Sequence, residues 1–586
     1  MFIVRLMISK SKNSQSLYAI KSIYVDGKRS TKIVEKLGTL DELEKIHDDP
    51  ISWARQYIAE LTEKEKTESR EVIIKRKQSK RIEKNEQAHF NGGYLFLQAL
   101  YHQNGLHNIC QAISEKYKFT FNLDAILSRL IYGRILFPNS KLSTFQFSKS
   151  LLEQPDFDTH HIYRALEILE KENDFIQAEL YKNSIAIAKR NDKILYYDCT
   201  NYFFQTEQAE GLRQYGFSKE HRPNPIVEMG LLMDGDGIPL AFSIHSGNTN
   251  EQTTLRPLEE RIMQDFKLSK FIICTDAGLS STENRKFNNR GNRAFITTQS
   301  VKKLRAHLKE WALSPSGWRI AASPGQPLKR SREETLYDIS NLDVTSANAD
   351  FYENVTFYKE RWINEDGLEQ KLIVTFSLKY RNYQRQIRAQ QIQRAITTLG
   401  KRPSSIARRN QNDFKRFIKT VTTTTDGEVA KRKTFLIDQD TIEQEEAYDG
   451  FYALCTNLED DPTAIIRVNQ KRWEIEDCFR MLKTEFRSRP VYLQRDDRIV
   501  AHFITCFIAL TLFRLLERKL DYKFTSSTIL NELRDMNFCQ IAEEGYIPTY
   551  TRTDLTDALH AAFGFQTDYQ IVSISQMKRI FKLTKK

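Results

Sequence analysis

An α/β fold is the expectation for this chain, and three observations carry it. From Lys193 onward, β-like apolar runs follow one another as KILYYDCT, IVEMGLLMD and IPLAFSIHS. Helix and strand patterns then alternate: LRPLEERIMQDF, KFIICTD, a short helical piece after Gly278, and RAFITT. Mainly helical stretches lie before and after this region. With 586 residues and 40% hydrophobic content the chain is too long for one ordinary domain, so several are expected.

Taken in order, the opening MFIVRLMISK is interrupted by Arg5 and has no small-residue cleavage site, so it reads as a strand and not as a secretory signal. SLYAIKSIYV, the Asp26-Gly27 turn and STKIVEKLG make a hairpin, which with a following helix forms a first region, 1–62. Region 63–190 is read as mainly helical. Its first part, Glu63 to Glu86, is mostly Lys, Arg and Glu, either a solvated helix or linker or a DNA contact. Asn122 can cap a helix through LDAILSRLIYGRILF that stops before Pro138, and further helices are expected over His161–Lys171 and Phe175–Lys189. His160 and His161 point different ways on a helix and suggest no metal site.

Region 191–300 holds the strands, with Asp234-Gly235-Asp236-Gly237 as the turn between the second and third. The order strand, strand, strand, helix, strand, helix, strand is that of a ribonuclease-H-like core, in which the first and fourth strands are neighbours. Between 301 and 449 come the strand-like runs ENVTFYKERWI and KLIVTFSLKY, a helical run over Tyr383–Ile396 and a basic stretch from Lys401 to Lys419. A loop of that length is improbable, so a β-rich insertion domain with its own structure is expected. The core resumes over 450–495 with the strand GFYALCTN and a charged helix. A helical region, 496–586, follows. Its apolar stretch Phe503–Phe513 is too short for the roughly 20 residues that span a bilayer, and reads as a buried helix.

Lys and Arg number 88 against 76 Asp and Glu, a net charge of +12, which suits a polyanionic partner. The seven cysteines form no CxxC pair, so neither a zinc ribbon nor a disulfide framework is indicated, and a reducing cytoplasm fits.

The chemistry is carried by three acids. Asp198 and Asp276 each end an apolar strand, KILYYD and FIICTD, and Glu476 lies on the helix RWEIEDCFRMLK. Three carboxylates so delivered can converge to hold divalent metal against a phosphodiester. At about 100° per residue, Asn469, Arg472, Glu476, Arg480 and Lys483 share one arc of about 80°. Ile475, Phe479, Leu482 and Phe486 form the neighbouring core stripe. One carboxylate thus stands among cations suited to phosphates. Each acid also has a plainer reading: Asp198 and Asp276 as turn caps, Glu476 as one partner of surface ion pairs.

Asp, Asp and Glu on this strand pattern, with Arg-x3-Glu-x6-Lys at the last acid, resemble the DDE transposases of bacterial insertion sequences. The likeness is to the IS-four-like branch, whose signature is Tyr-x2-Arg-x3-Glu-x6-Lys. Arg472, Glu476 and Lys483 match it, while Asn469 stands at the tyrosine position. YDCTNYFF, SGNTNEQ (Ser246 to Gln252), TDAGLSS and the hairpin end EKLGTLDEL share the resemblance.

The resemblance implies two magnesium ions, replaceable by manganese, held by Asp198, Asp276 and Glu476. It implies cleavage at a transposon end and transfer of the freed 3′-hydroxyl to target DNA. Double-stranded DNA, as terminal inverted repeats and as target, is the implied partner, with Arg472, Lys483, Arg480 and Asn469 as DNA contacts. A homodimer that synapses two ends, no membrane, and a cytoplasmic, nucleoid-associated location also follow from it. Trp311 and Trp318 are candidates for stacking on a flipped base. The competing readings are a nuclease of the same fold without strand transfer, a DNA-binding derivative that has lost chemistry, and a hydrolase built on a carboxylate pair.

Overall fold

The computed structural model describes residues 4–586 apart from 11–13, 26–27, 48, 69–71, 75–77, 80, 82–83, 85, 322–334, 343–348, 402–405, 409–411 and 424–431. The chain divides into two compact units. The first consists of Met1–Phe90, Phe538–Tyr550 and Gln566–Phe581, the second of Asn91–Asn537, Thr551–Phe565 and Lys582–Lys586.

In the first unit the strands Val4–Lys10, Gln15–Val25 and Lys28–Thr39 form an antiparallel sheet in chain order. The Asp26-Gly27 turn lies outside the described residues. Thr39 and Glu42 close a capping box on the helical turn Leu40–Leu43, which explains the end of EKLGTLDEL. The helix Pro50–Glu68 follows, and much of the charged run beyond it lies outside the described residues. The C-terminal region is not purely helical, as the sequence reading had it. Asn537–Ile541, Gly545–Pro548 and Val572–Ser573 are strands, in one sheet with His89–Asn91. Gly545 makes this pairing possible: its φ is +144°, and a Cβ there would stand 2.2 Å from the Val572 carbonyl oxygen.

The second unit begins with helices. Asn122 accepts a hydrogen bond from the Ala125 N–H at 2.9 Å and caps Leu123–Leu136, and Thr159–Lys171 and Asn173–Ile187 follow. Its centre is a nine-stranded sheet of β1 (Ile194–Phe203), β2 (Ile226–Asp234), β3 (Pro239–Ser246), β4 (Ile272–Thr275), β5 (Ala294–Gln299), β6 (Arg319–Ile320), β7 (Phe357–Glu365), β8 (Leu368–Phe376) and β9 (Phe451–Thr456). Across the sheet the order is β6, β7, β8, β9, β5, β4, β1, β2, β3. Neighbours β1, β4 and β5 run parallel, and every other pair is antiparallel. The first and fourth strands are side by side, with Leu195 opposite Ile273 and Tyr196 opposite Cys274.

The stretch 301–449 departs from the expected self-contained, β-rich insertion. Its main strands, β7 and β8, extend the central sheet through β9, which lies antiparallel on the edge of β5. The physical reason is a shared interior: Trp318, Phe357, Leu372, Val374 and Phe376 are buried in the same apolar cluster as Leu195 and Ile273. The rest is led by the 23-residue helix Leu378–Gly400 and a hairpin of Ile418–Thr423 with Arg432–Ile437, which has a small apolar cluster of its own around Ala395 and Phe417.

The Asp234–Gly237 turn is more than a connection. Asp234 is fully buried, accepts the N–H groups of Asp236 and Ile238, and pairs with the buried Arg190 at 2.6 Å. Arg190 also donates to Ser184 Oγ and to the carbonyls of Ile238 and Pro239. The helix Asp496–Lys519 passes through the interior. It is long and apolar enough to cross a membrane by composition, yet 94% of its most apolar window is buried inside the protein.

Glu259, on the helix Leu255–Asp265, gives this unit a pH dependence. Its carboxyl is wholly buried and accepts one hydrogen bond, from Asn288 Nδ2 at 2.8 Å. Burial pushes its pKa from 4.5 up to about 8. Between those values the folded state holds a proton that the unfolded chain releases, so stability falls as pH rises through that window. Glu259→Gln is expected to melt above the wild type at about pH 9, with the gap narrowing toward about pH 5. Thermal melts at both values check this; a gap that does not change with pH would refute it.

Candidate active site

The parallel strands β1 and β4 deliver the first two acids. Asp198 lies on β1 beyond the last residue paired with β4, and Asp276 directly follows the end of β4. One oxygen of each is fixed by backbone: Asp198 Oδ1 accepts the Cys199 N–H at 2.8 Å, and Asp276 Oδ1 accepts the Leu279 N–H at 3.0 Å. The turn-cap reading of Asp276 is therefore correct for one oxygen. Oδ2 of each carboxylate has no hydrogen-bond donor among the described residues. Burial pushes the Asp198 carboxyl up to about 6; Lys219 and Arg472 pull the other way, and Asp276 adds to the rise.

Glu476 comes from the helix Trp473–Thr484. Ile475, Phe479, Leu482 and Phe486 are buried as the apolar stripe requires. The other face carries Glu476, whose side chain is 63% exposed and lies 3.9 Å from Arg472. Asp198 and Asp276 both act electrostatically on the same Arg472. Among the described residues the three carboxylates do not all come within 4.8 Å of one another, and Arg472 is the charge that Asp198, Asp276 and Glu476 have in common. Lys483, in the last turn of the helix, donates to Thr200 Oγ1 and ties the helix to β1. Burial and the neighbouring Lys219 push the Lys483 ammonium down to about 8.

One of the expected DNA contacts, Asn469, is placed elsewhere. The single arc assumed one continuous helix, but the chain forms two, Pro462–Gln470 and Trp473–Thr484. Tight bonds at the joint, Arg472 N–H to Asn469 carbonyl at 3.1 Å and Ile475 N–H to Arg472 carbonyl at 3.2 Å, break the phase. Asn469 is consequently buried, facing Cys274 Sγ at 3.8 Å and the Tyr452 hydroxyl at 3.5 Å. Arg480 is exposed and paired with Asp477.

Residues 203–512, more than half of the chain, match the family described as transposase DDE domain. The chain belongs to that family. It is a DNA transposase, and the matched span contains Asp276 and Glu476 and begins five positions after Asp198. No curated protein matches the transposase. Among solved structures, the cryo-EM structure of a piggyBac transposase synaptic complex with hairpin DNA is similar at 9% identity over 76% of this chain and 78% of that one, with a TM-score of 0.35.

The donor set of the transposase suits a hard divalent cation. Two adjacent carboxylates, each with one oxygen free of donors, repel one another at neutral pH, and an ion between them relieves that repulsion. By contrast Asp158, His160 and His161, whose rings do come together with centroids 4.0 Å apart, are committed locally: His161 Nδ1 accepts the Asp158 N–H and caps its helix.

The tryptophan candidates are otherwise occupied in the transposase. Trp318 is fully buried, with Nε1 donating to the Ser314 carbonyl at 3.0 Å, and the Trp311 ring is covered by Lys359 and Arg361. Three groups that the sequence did not mark stand at the site instead. Lys219 donates to the Cys199 carbonyl at 2.6 Å and pairs with Glu251 at 2.7 Å, which gives the SGNTNEQ motif a structural task. Burial, with the neighbouring Glu251 adding to it, raises the Glu228 carboxyl to about 8. Tyr452 of β9 brings a phenol next to Asn469, the position where the sequence signature lacks one. The only sequence signal for these was the motif itself.

Proposed function

We propose that this protein is an IS-four-like insertion-sequence transposase with a ribonuclease-H-like core, which cuts transposon ends and joins them to target DNA. The observation that carries the reading is the placement of Asp198 and Asp276 at the ends of the paired stretch of two adjacent parallel strands, with Arg472 near both and 3.9 Å from Glu476. The succession β3, β2, β1, β4, β5, with only β2 and β3 outside the parallel set, supports the core assignment. In this reading Asp198, Asp276 and Glu476 would hold two magnesium ions, for which manganese could substitute. When bound, such ions lower the pKa of the attacking hydroxyl and offset charge building on the phosphodiester.

The chain's own residues hold the substrate. Arg472 and Lys483 face phosphate oxygens on either side of the scissile bond. Water attacks the phosphorus, the bond to the 3′-oxygen breaks, and the leaving oxygen takes up a proton. That 3′-hydroxyl then attacks a phosphodiester of the target, forming the new joint and releasing a target 3′-hydroxyl. No covalent link to protein is formed. The helical region 63–190 and the basic parts of 301–449 take up flanking DNA, a homodimer synapses two ends, and the protein works in the cytoplasm at the nucleoid.

Joining is the decisive assay. Labelled duplexes of the DNA flanking the reading frame are incubated with protein, plasmid and magnesium. End-joined plasmid is expected alongside cut ends. Cut ends alone would replace this reading with that of a nuclease, and binding without cutting with that of a retired derivative.

A further inference from the structure

Beside the last strand residues of β1 lies a cavity of about 290 Å³ whose lining includes Arg134, Lys141, Arg487 and Arg489 and contains no carboxylate. Two of these cations are buried, Arg134 at 5% and Lys141 at 6% exposure. Arg134 donates to the carbonyls of Phe486, Arg487 and Asn139, while its Nε has no partner. Lys141 has neither a hydrogen bond nor an ion pair among the described residues. Arg489 is paired with Glu220; Arg487 is exposed and has no acidic partner among the described residues.

Two buried like charges with no counter-charge are costly, because burial removes the water that would stabilise each and brings them within mutual repulsion. Packing alone gives no reason for this: a methionine would fill the space of Lys141 without charge. The first turn of the helix Lys141–Ser148 lines the same cavity and adds its N-terminal partial positive charge. Burial and the charge of Arg134 push the Lys141 ammonium down to about 7, the direction expected where an anion is missing.

We propose that this cavity is a phosphate-binding pocket, in which Lys141, Arg134 and Arg487 take the oxygens of one phosphate group. Its position suits a DNA backbone. Val491, which lines the pocket, donates its N–H to the Phe203 carbonyl at 3.1 Å. Phe203 follows Asp198 by five positions on the same strand, a separation of about 16 Å. A strand lying across Asp198 can thus place a phosphate a few nucleotides from the scissile bond here. This last step rests on the proposed reaction; the pocket itself does not.

The test uses the full chain, with Lys141→Met and the exposed Arg487→Gln, and two probes. First, thermal unfolding is followed in inorganic phosphate and in chloride at equal ionic strength. Phosphate is expected to raise the melting temperature of the wild type, and to do so less for both variants. Second, binding of a labelled random-sequence duplex is measured against salt, where Lys141→Met is expected to lower the slope by about one if the occupant is a backbone phosphate. A lost phosphate response with an unchanged slope assigns the pocket to free phosphate. Identical melting responses and identical slopes in wild type and both variants overturn the proposal. Asp198→Ala, run in parallel, separates the two readings: it is expected to lose cutting and keep the phosphate response.

Discussion

Alanine at Asp198, Asp276 or Glu476 is expected to lower DNA cleavage by about 10³-fold or more, while affinity for the same DNA changes little. Each substitution removes a proposed metal ligand and none removes a cation, so the phosphate contacts proposed for Arg472 and Lys483 survive. The three variants also differ in a second respect. Asp198 is held up to about 6 by burial and by Asp276; removing that strained charge leaves the fold unharmed or more stable. Glu476 is 63% exposed and its loss costs the fold nothing measurable. Single-turnover cleavage beside a binding titration and a melt is the check. Any one variant that cut at near wild-type rate would strip that residue of its role.

Loss of the Arg190–Asp234 pair is the largest stability effect expected. Both side chains are at most 1% exposed, and Arg190 satisfies three acceptors at the β2–β3 turn as well as Ser184 Oγ on the helix Asn173–Ile187. Truncating one partner leaves the other charge buried and alone, which costs roughly 3–5 kcal/mol. Arg190→Ala should therefore unfold at markedly lower denaturant concentration, and Asp234→Ala likewise. The double variant should lose less than the sum of the two, because neither charge is then stranded. Additive losses in a double-mutant cycle would show that the residues act independently.

The parts that sequence made legible share one property: their signal is local. Alternating apolar runs placed β1 to β5, the Asn122 cap set a helix start, and the Ile475–Phe486 stripe told which side of the acidic helix faces inward. What escaped notice depends on partners far away along the chain. A two-residue elbow at Lys471–Arg472 hides inside continuous helical propensity, yet it turns Asn469 inward, away from the exposed face of Glu476. Strands β7 and β8 read correctly as strands, but no periodicity says which edge they join. Lys219 meets Glu251, and Tyr452 meets Asn469, only once the sheet exists.

The continuity of β9 with β8 and β7 also determines what can be cut from this gene. Because Ala453 to Thr456 pair with β5 on one side and with Lys371 to Val374 on the other, the segment between them is no removable cassette. Excision would bare a row of unsatisfied amides and carbonyls beside an apolar face, a template for self-association in place of a trimmed enzyme.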